Sequence, residues 1–96
     1  MTYVVTAKWT AKPGEEERIA RICIEMTEPS RAEPANRFYQ AHRSPDDPRL
    51  FYLYEQYDDE AGYQAHMDSE HFTRLVKDEA IPNLESRERE FYGTLP

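Results

Sequence analysis

Residues 50–57 read LFYLYEQY, and this octet constrains the fold more than any other stretch of the chain. It is rich in aromatic residues and free of Gly and Pro, which is strand composition. Successive side chains of a strand point to opposite faces, so Phe51 and Tyr57 share one face while Tyr52 and Tyr54 share the other. Bulky side chains on both faces need cover on both. The helices of one small domain can cover only one side, and a contiguous apolar patch left on the other is unusual for a monomer. The octet therefore predicts a sheet with helices on one face and a second subunit on the other.

The remaining elements follow from periodicity. YVVTAKWT (3–10) reads as a strand with Tyr3, Val5, Ala7 and Trp9 on one face, stopped by AKPG. EEE at 15–17 suits a helix start, where the macrodipole favours negative charge, and Ile19, Ile22, Cys23 and Met26 form its apolar stripe. Pro29 and Pro34 bracket the end of that helix and the following loop. NRFYQAHR (36–43) and LFYLYEQY pair around SPDDP; a pairing of Arg43 with Leu50 sets Tyr39 opposite Tyr54 and Phe38 opposite Glu55. DDEAGYQAHMD (58–68) is a short helix with a capping Asp, Ser69 caps a new one bearing Phe72, Leu75, Val76 and Ala80, and Pro82 ends it. ESREREFYG (85–93) closes the chain as a strand. The order β-α-β-β-α-α-β predicts a single α+β domain over 1–96, the ferredoxin-like split βαβ with a four-stranded antiparallel sheet. Ten of the twelve aromatic residues fall in its strands, which reinforces the need for cover on both faces.

Charge and cysteine content narrow the partners. Twelve basic against nineteen acidic residues give a net charge of −7, which argues against a nucleic-acid partner. No stretch approaches the ~18 apolar residues of a membrane helix, and MTYVVTAKWT lacks the character of a signal peptide. Cys23 is the sole cysteine, so no internal disulfide forms and a reducing, cytoplasmic setting is expected. Within its helical stripe it reads as a small core residue rather than a nucleophile.

AHMDSEHF (65–72) raises the question of chemistry, because His66 and His71 stand five residues apart. On one ideal helix that spacing turns the side chains about 140° from each other. A shared metal prefers a spacing of four, as in H-E-x-x-H. With no cysteine pair and no glycine-rich nucleotide loop either, the expectation is a protein without metal or cofactor. A break at Ser69 removes the 140° objection to the histidines being neighbours.

The segments AKWTAKPGEEERI, SRAEPANRFYQAHRSPDDPRLFYLYEQYDDEAGYQAHMDSEHF and ESREREFY resemble, in order and over nearly the whole chain, the antibiotic biosynthesis monooxygenase family. The resemblance implies a dimeric α/β barrel in which two ferredoxin-like sheets face each other. It further implies a small, cofactor-independent oxygenase that oxidises a phenol, anthrone or quinol with O2. Such chemistry needs an aromatic-walled pocket with a few polar groups and a residue of suitable pKa. The implied assignments are His66 and His71 as the acid–base groups, with Trp9, Tyr39, Tyr54, Tyr57 and Phe72 lining the substrate. A haem-degrading branch of the family carries Asn, Trp and a His ligand where this chain has Ala7, His66 and Val76, so haem is disfavoured.

Each residue also has a structural reading. His66 reads equally as a partly exposed residue closing a helix, and His71 as part of a helix start. His42 reads as solvated. Trp9 serves as core or pocket wall, Glu55 as an ion-pair partner or a base, and the tyrosines as subunit packing or substrate contacts. On the catalytic reading, removing either histidine leaves stability nearly unchanged. The same aromatic pocket also suits a non-catalytic dimer that binds a small ligand or serves as a stress-associated accessory protein.

Overall fold

The structure, a computed structural model, describes residues 1–96. Strands β1 (Tyr3–Ala11), β2 (Asn36–Arg43), β3 (Leu50–Tyr57) and β4 (Leu84–Gly93) form one antiparallel sheet in the order β2-β3-β1-β4. Helices α1 (Glu16–Arg31) and α2 (Glu60–Asp68) and a π-helix (Phe72–Ala80) pack on one face. This is the expected ferredoxin-like α+β arrangement.

Parity along the strands sorts the side chains. Ala7, Trp9 and Ala11 of β1 and Phe51 and Leu53 of β3 meet Ile19, Ile22, Cys23 and Met26 of α1 and Phe72, Leu75, Val76 and Ala80 of the π-helix in one core. Val5, Tyr57 and Tyr63 form a smaller cluster beside it. Each large apolar side chain so buried contributes about 1.5–3 kcal/mol. The opposite face has no helix, and there Phe38, Tyr52 and Tyr92 remain 47%, 37% and 50% exposed. Tyr54 sits on that face against Phe38, edge-on with ring centroids 5.7 Å apart.

The β2–β3 register differs from the sequence expectation by one residue. Arg43 pairs with Phe51, so Tyr39 stands opposite Glu55 and Phe38 opposite Gln56. Ser44 causes the shift: its N–H still donates to the Leu50 carbonyl (2.9 Å), and its hydroxyl accepts from the N–H groups of Asp46 and Asp47. The pairing therefore closes on Ser44 and Leu50. A one-residue slip exchanges the two faces of a strand, and the observed register turns Tyr39 into the core while Phe38 faces out.

Two helices also depart from expectation. α1 runs through Pro29 to Arg31. Its last turn is pinned to β2 by the Arg31 guanidinium, which donates to the Tyr39 carbonyl at 2.9 and 3.0 Å, and Ser30 beside it is fully buried. The helix after Ser69 winds as a π-helix, closed by Ile81 N–H donating to the Val76 carbonyl. Its apolar residues are those expected, and all four are buried. The final strand begins at Leu84, one residue before the expected start.

Gly62 has a packing role. A Cβ there would lie 2.7 Å from Ala35 Cβ and 3.4 Å from Tyr57 Cβ, so α2 can approach the α1–β2 turn only without a side chain at this position. Asp59 caps the helix by accepting from the Gly62 N–H at 2.9 Å. No helix is long and apolar enough to cross a membrane.

Cys23 is 4% exposed, and burial pushes its thiol up to about 12. A thiol must ionise to attack a disulfide reagent. Cys23 should therefore react with a chromogenic disulfide at pH 8 at least about tenfold more slowly in the native protein than in guanidinium, as followed by absorbance.

Candidate functional site

Ser69 builds the junction between α2 and the π-helix. Its hydroxyl donates to the His66 carbonyl at 2.6 Å and accepts from the Phe72 N–H at 3.2 Å, while its own carbonyl accepts from the Thr73 N–H. One hydroxyl thus ends one helix and starts the next. The break redirects the chain, and the two imidazoles come together with ring centroids 6.0 Å apart.

They meet at Glu33, which sequence reasoning did not single out. Glu33 follows α1, where its N–H donates to the Ser30 carbonyl and its carbonyl accepts from the Asn36 N–H. His66 Nδ1 lies 2.7 Å and His71 Nε2 2.6 Å from the same oxygen, Glu33 Oε2. An ionised carboxylate only accepts hydrogen bonds. In that state both of these nitrogens carry the hydrogen, which fixes the tautomer of each neutral ring. Oε1 of Glu33 is buried and has no partner.

His66 is 2% exposed, so the reading of a partly exposed helix-closing residue is overturned. Its ring lies within 5.1–6.1 Å, centroid to centroid, of Phe72, Tyr57, Tyr39 and Tyr63. On its far side, Nε2 stands 3.7 Å from Glu55 Oε1. Glu55 is itself buried and accepts a 2.6 Å hydrogen bond from the Tyr57 hydroxyl. Burial raises the Glu55 carboxyl above its ordinary value, offset in part by His66 and by the Tyr57 hydrogen bond. The network thus runs Tyr57–Glu55–His66–Glu33–His71. Of its two imidazoles, only that of His71 reaches the surface, its side chain 17% exposed.

The other expected site residues divide between the two faces of the sheet. Tyr39, Tyr57 and Phe72 all pack around His66. Burial drives the hydroxyls of Tyr39 and Tyr57 above their ordinary range. Trp9 lies in the main core at 3% exposure, with its Nε1–H buried and unpartnered. Its cross-strand neighbour Arg87 likewise has a buried Nε without a partner, and burial lowers the pKa of that guanidinium. Tyr54 lies on the helix-free face, away from the histidines, where its hydroxyl accepts from Gln56 at 2.9 Å. His42 is on that face too, exposed, with Nδ1 3.1 Å from the Tyr52 carbonyl. A groove of about 240 Å³ between α1 and β2, lined by Ala20, Cys23, Ile24, Ala41, Arg43 and Phe51 among others, includes none of the residues expected to line a substrate.

Glu33, Tyr63 and Arg87 escaped the sequence reading. The signal for Glu33 was an acid placed before a proline at a helix exit, a common surface pattern. Nothing local distinguished Arg87 from its neighbours in RERE.

The sequence model described as antibiotic biosynthesis monooxygenase matches residues 2–78. No match is found among curated proteins. Among solved structures, PA3566 from Pseudomonas aeruginosa is 30% identical and superposes with a TM-score of 0.92, covering 99% of this chain and 95% of its own. A crystal structure described as an antibiotic biosynthesis monooxygenase is 27% identical, with a TM-score of 0.89 and full coverage of both chains (100% each). Rv0793 from Mycobacterium tuberculosis, 21% identical with a TM-score of 0.90 over 100% of this chain and 97% of its own, shares the fold.

The burial of His66 reverses the stability expected of its variants. His66→Ala opens a hole among four rings and removes a donor from Glu33, so it should cost about 2–5 kcal/mol in urea denaturation. Ser69→Ala should cost about 1 kcal/mol through the lost cap. Equal costs would show that the ring cage contributes little.

Proposed function

The chain belongs to the antibiotic biosynthesis monooxygenase family, and on that premise we propose that it oxidises an electron-rich aromatic phenol, anthrone or quinol with O2, without a resident cofactor. The observation that supports this reading is the Glu33–His71 dyad. Glu33 holds the Nε2–H of His71, which leaves Nδ1 of the neutral ring as a lone pair at a partly exposed position. A carboxylate that orients an imidazole in this way prepares it to accept a proton.

His71 takes the proton from the substrate, and the resulting anion transfers an electron to O2. For an anthrone, one oxygen atom ends in the new carbonyl and the other leaves as water. His66 is buried and does not touch substrate; it positions Glu33 and ties it to Glu55 and Tyr57. The unpartnered Nε1–H of Trp9 and Nε–H of Arg87 are buried donors free to meet a substrate oxygen. Haem fits poorly: Val76, where the haem-degrading branch has its ligand, is an apolar core residue. The working form is a homodimer, in a reducing cytoplasm, with its helix-free faces in contact, because Phe38, Tyr52 and Tyr92 otherwise leave a large aromatic patch in water.

Two measurements test this reading. With an oxygen electrode and a panel of anthrones and hydroquinones, at least one substrate should be consumed with oxygen uptake, and His71→Gln should lower its turnover about 10²-fold. No uptake with any member of the panel, together with saturable binding of one, would favour a non-catalytic ligand-binding protein instead. By light scattering at micromolar concentration the protein should be a dimer, and Tyr54→Asp should shift it towards monomer. A wild-type monomer would remove the argument from the two-faced sheet.

A further inference from the structure

We propose that Glu33, His66 and His71 also form a binding site for a divalent first-row transition ion of the zinc type. Their donor atoms, Glu33 Oε2, His66 Nδ1 and His71 Nε2, lie within 4.8 Å of one another and come from three different segments of the chain. The two nitrogens already converge on one point, the shared carboxylate oxygen. Zinc bonds to imidazole and carboxylate are about 2.0–2.2 Å long, which sets neighbouring donors about 3.0–3.5 Å apart. To reach that geometry Glu33, which lies on a turn, withdraws by less than about 1 Å, and the two imidazole nitrogens, now up to 4.8 Å apart, close towards each other.

The surroundings of His66 support the site independently. A metal-bound imidazole normally donates its other ring N–H to a carboxylate, which fixes the ring and raises its basicity. Glu55 occupies that place, 3.7 Å from Nε2, and is itself held by the Tyr57 hydroxyl. When the ion takes the Nδ1 lone pair, the His66 proton moves to Nε2, where it faces Glu55. His71 makes the matching change, its proton moving to Nδ1. The unpartnered Glu33 Oε1 supplies a second carboxylate oxygen. Two imidazoles and one carboxylate suit zinc, iron, cobalt or manganese rather than calcium. Three protein ligands leave at least one position open on the solvent side of His71.

The ion and the oxygenase reaction compete for the same imidazole, since the ion takes His71 Nε2 and moves the proton onto the Nδ1 that would accept the substrate's. An ion-loaded molecule is therefore expected to be inactive in oxygen uptake, a consequence that rests on the proposed function, whereas binding itself does not. The test accordingly reads binding alone. Full-length protein stripped with chelator is titrated with zinc chloride in a calorimeter, and with cobalt(II) while the visible spectrum is recorded. One ion per chain should bind in the micromolar range, with cobalt bands of nitrogen–oxygen ligation. Glu33→Gln and His71→Ala, each checked for folding by circular dichroism, should each weaken binding at least tenfold. His42→Ala, which alters the exposed third histidine, should leave it unchanged. No saturable binding at millimolar zinc, or binding that survives His71→Ala, would overturn the site. Binding lost in His42→Ala would overturn it as well.

Discussion

The carboxyl of Glu55 stands on the buried face of the central strand, and the arrangement around it follows from the need to satisfy it there. A carboxyl inside a protein costs several kcal/mol unless hydrogen bonds and neighbouring charge compensate. Tyr57, two residues along the same face, provides a hydroxyl, and His66 brings an imidazole from above. His66 is then buried in turn and needs an acceptor for its other nitrogen, which Glu33 supplies. Glu33 has capacity for a second donor, and His71 takes it. Each burial calls for the next partner until the chain of contacts reaches the surface.

That chain closes because three backbone features let distant segments approach. Ser69 ends α2 and starts the π-helix with a single hydroxyl, so His66 and His71 no longer share one cylinder. Gly62 leaves room for α2 against Ala35, which keeps the turn bearing Glu33 beside the end of that helix. The hydrogen bonds at Ser44 set the register that turns Tyr39 inward, under the ring of His66. A π-helix directly after the junction accords with the tendency of such windings to occur at functional sites.

The same network is suited to holding either protons or an ion, since both demand lone pairs that converge in a partly enclosed space. Aromatic rings around His66 restrict its motion, while the exposure of His71 gives the site its contact with solvent. The helix-free face is physically separate from this site. Tyr52, Tyr54 and Phe38 belong to the helix-free face, whereas Tyr39 and Tyr57 pack around His66.

Much of this was legible from residue order alone, because alternation and helical stripes are local signals. The two-faced octet at 50–57, the stripe of Ile19, Ile22, Cys23 and Met26 and the cap at Ser69 each act over a few residues, and each appears in the structure where periodicity placed it. Register, burial of polar groups and long-range partners are different. Local order pairs Arg43 with Leu50, whereas Ser44 takes that place across from Leu50, and Pro29 reads as a stop, whereas Arg31 carries the helix on to the β2 backbone. His66 reads as half-solvated because a helix terminus in isolation is exposed. Only the packing of α2 against the sheet submerges it, and only the turn after α1, 33 residues earlier in the chain, supplies its acceptor. The sequence by itself determined the elements and the face each buries, since these depend on side-chain spacing. The tertiary structure alone decided which acid meets which histidine, since that depends on how far apart segments of the chain come to rest.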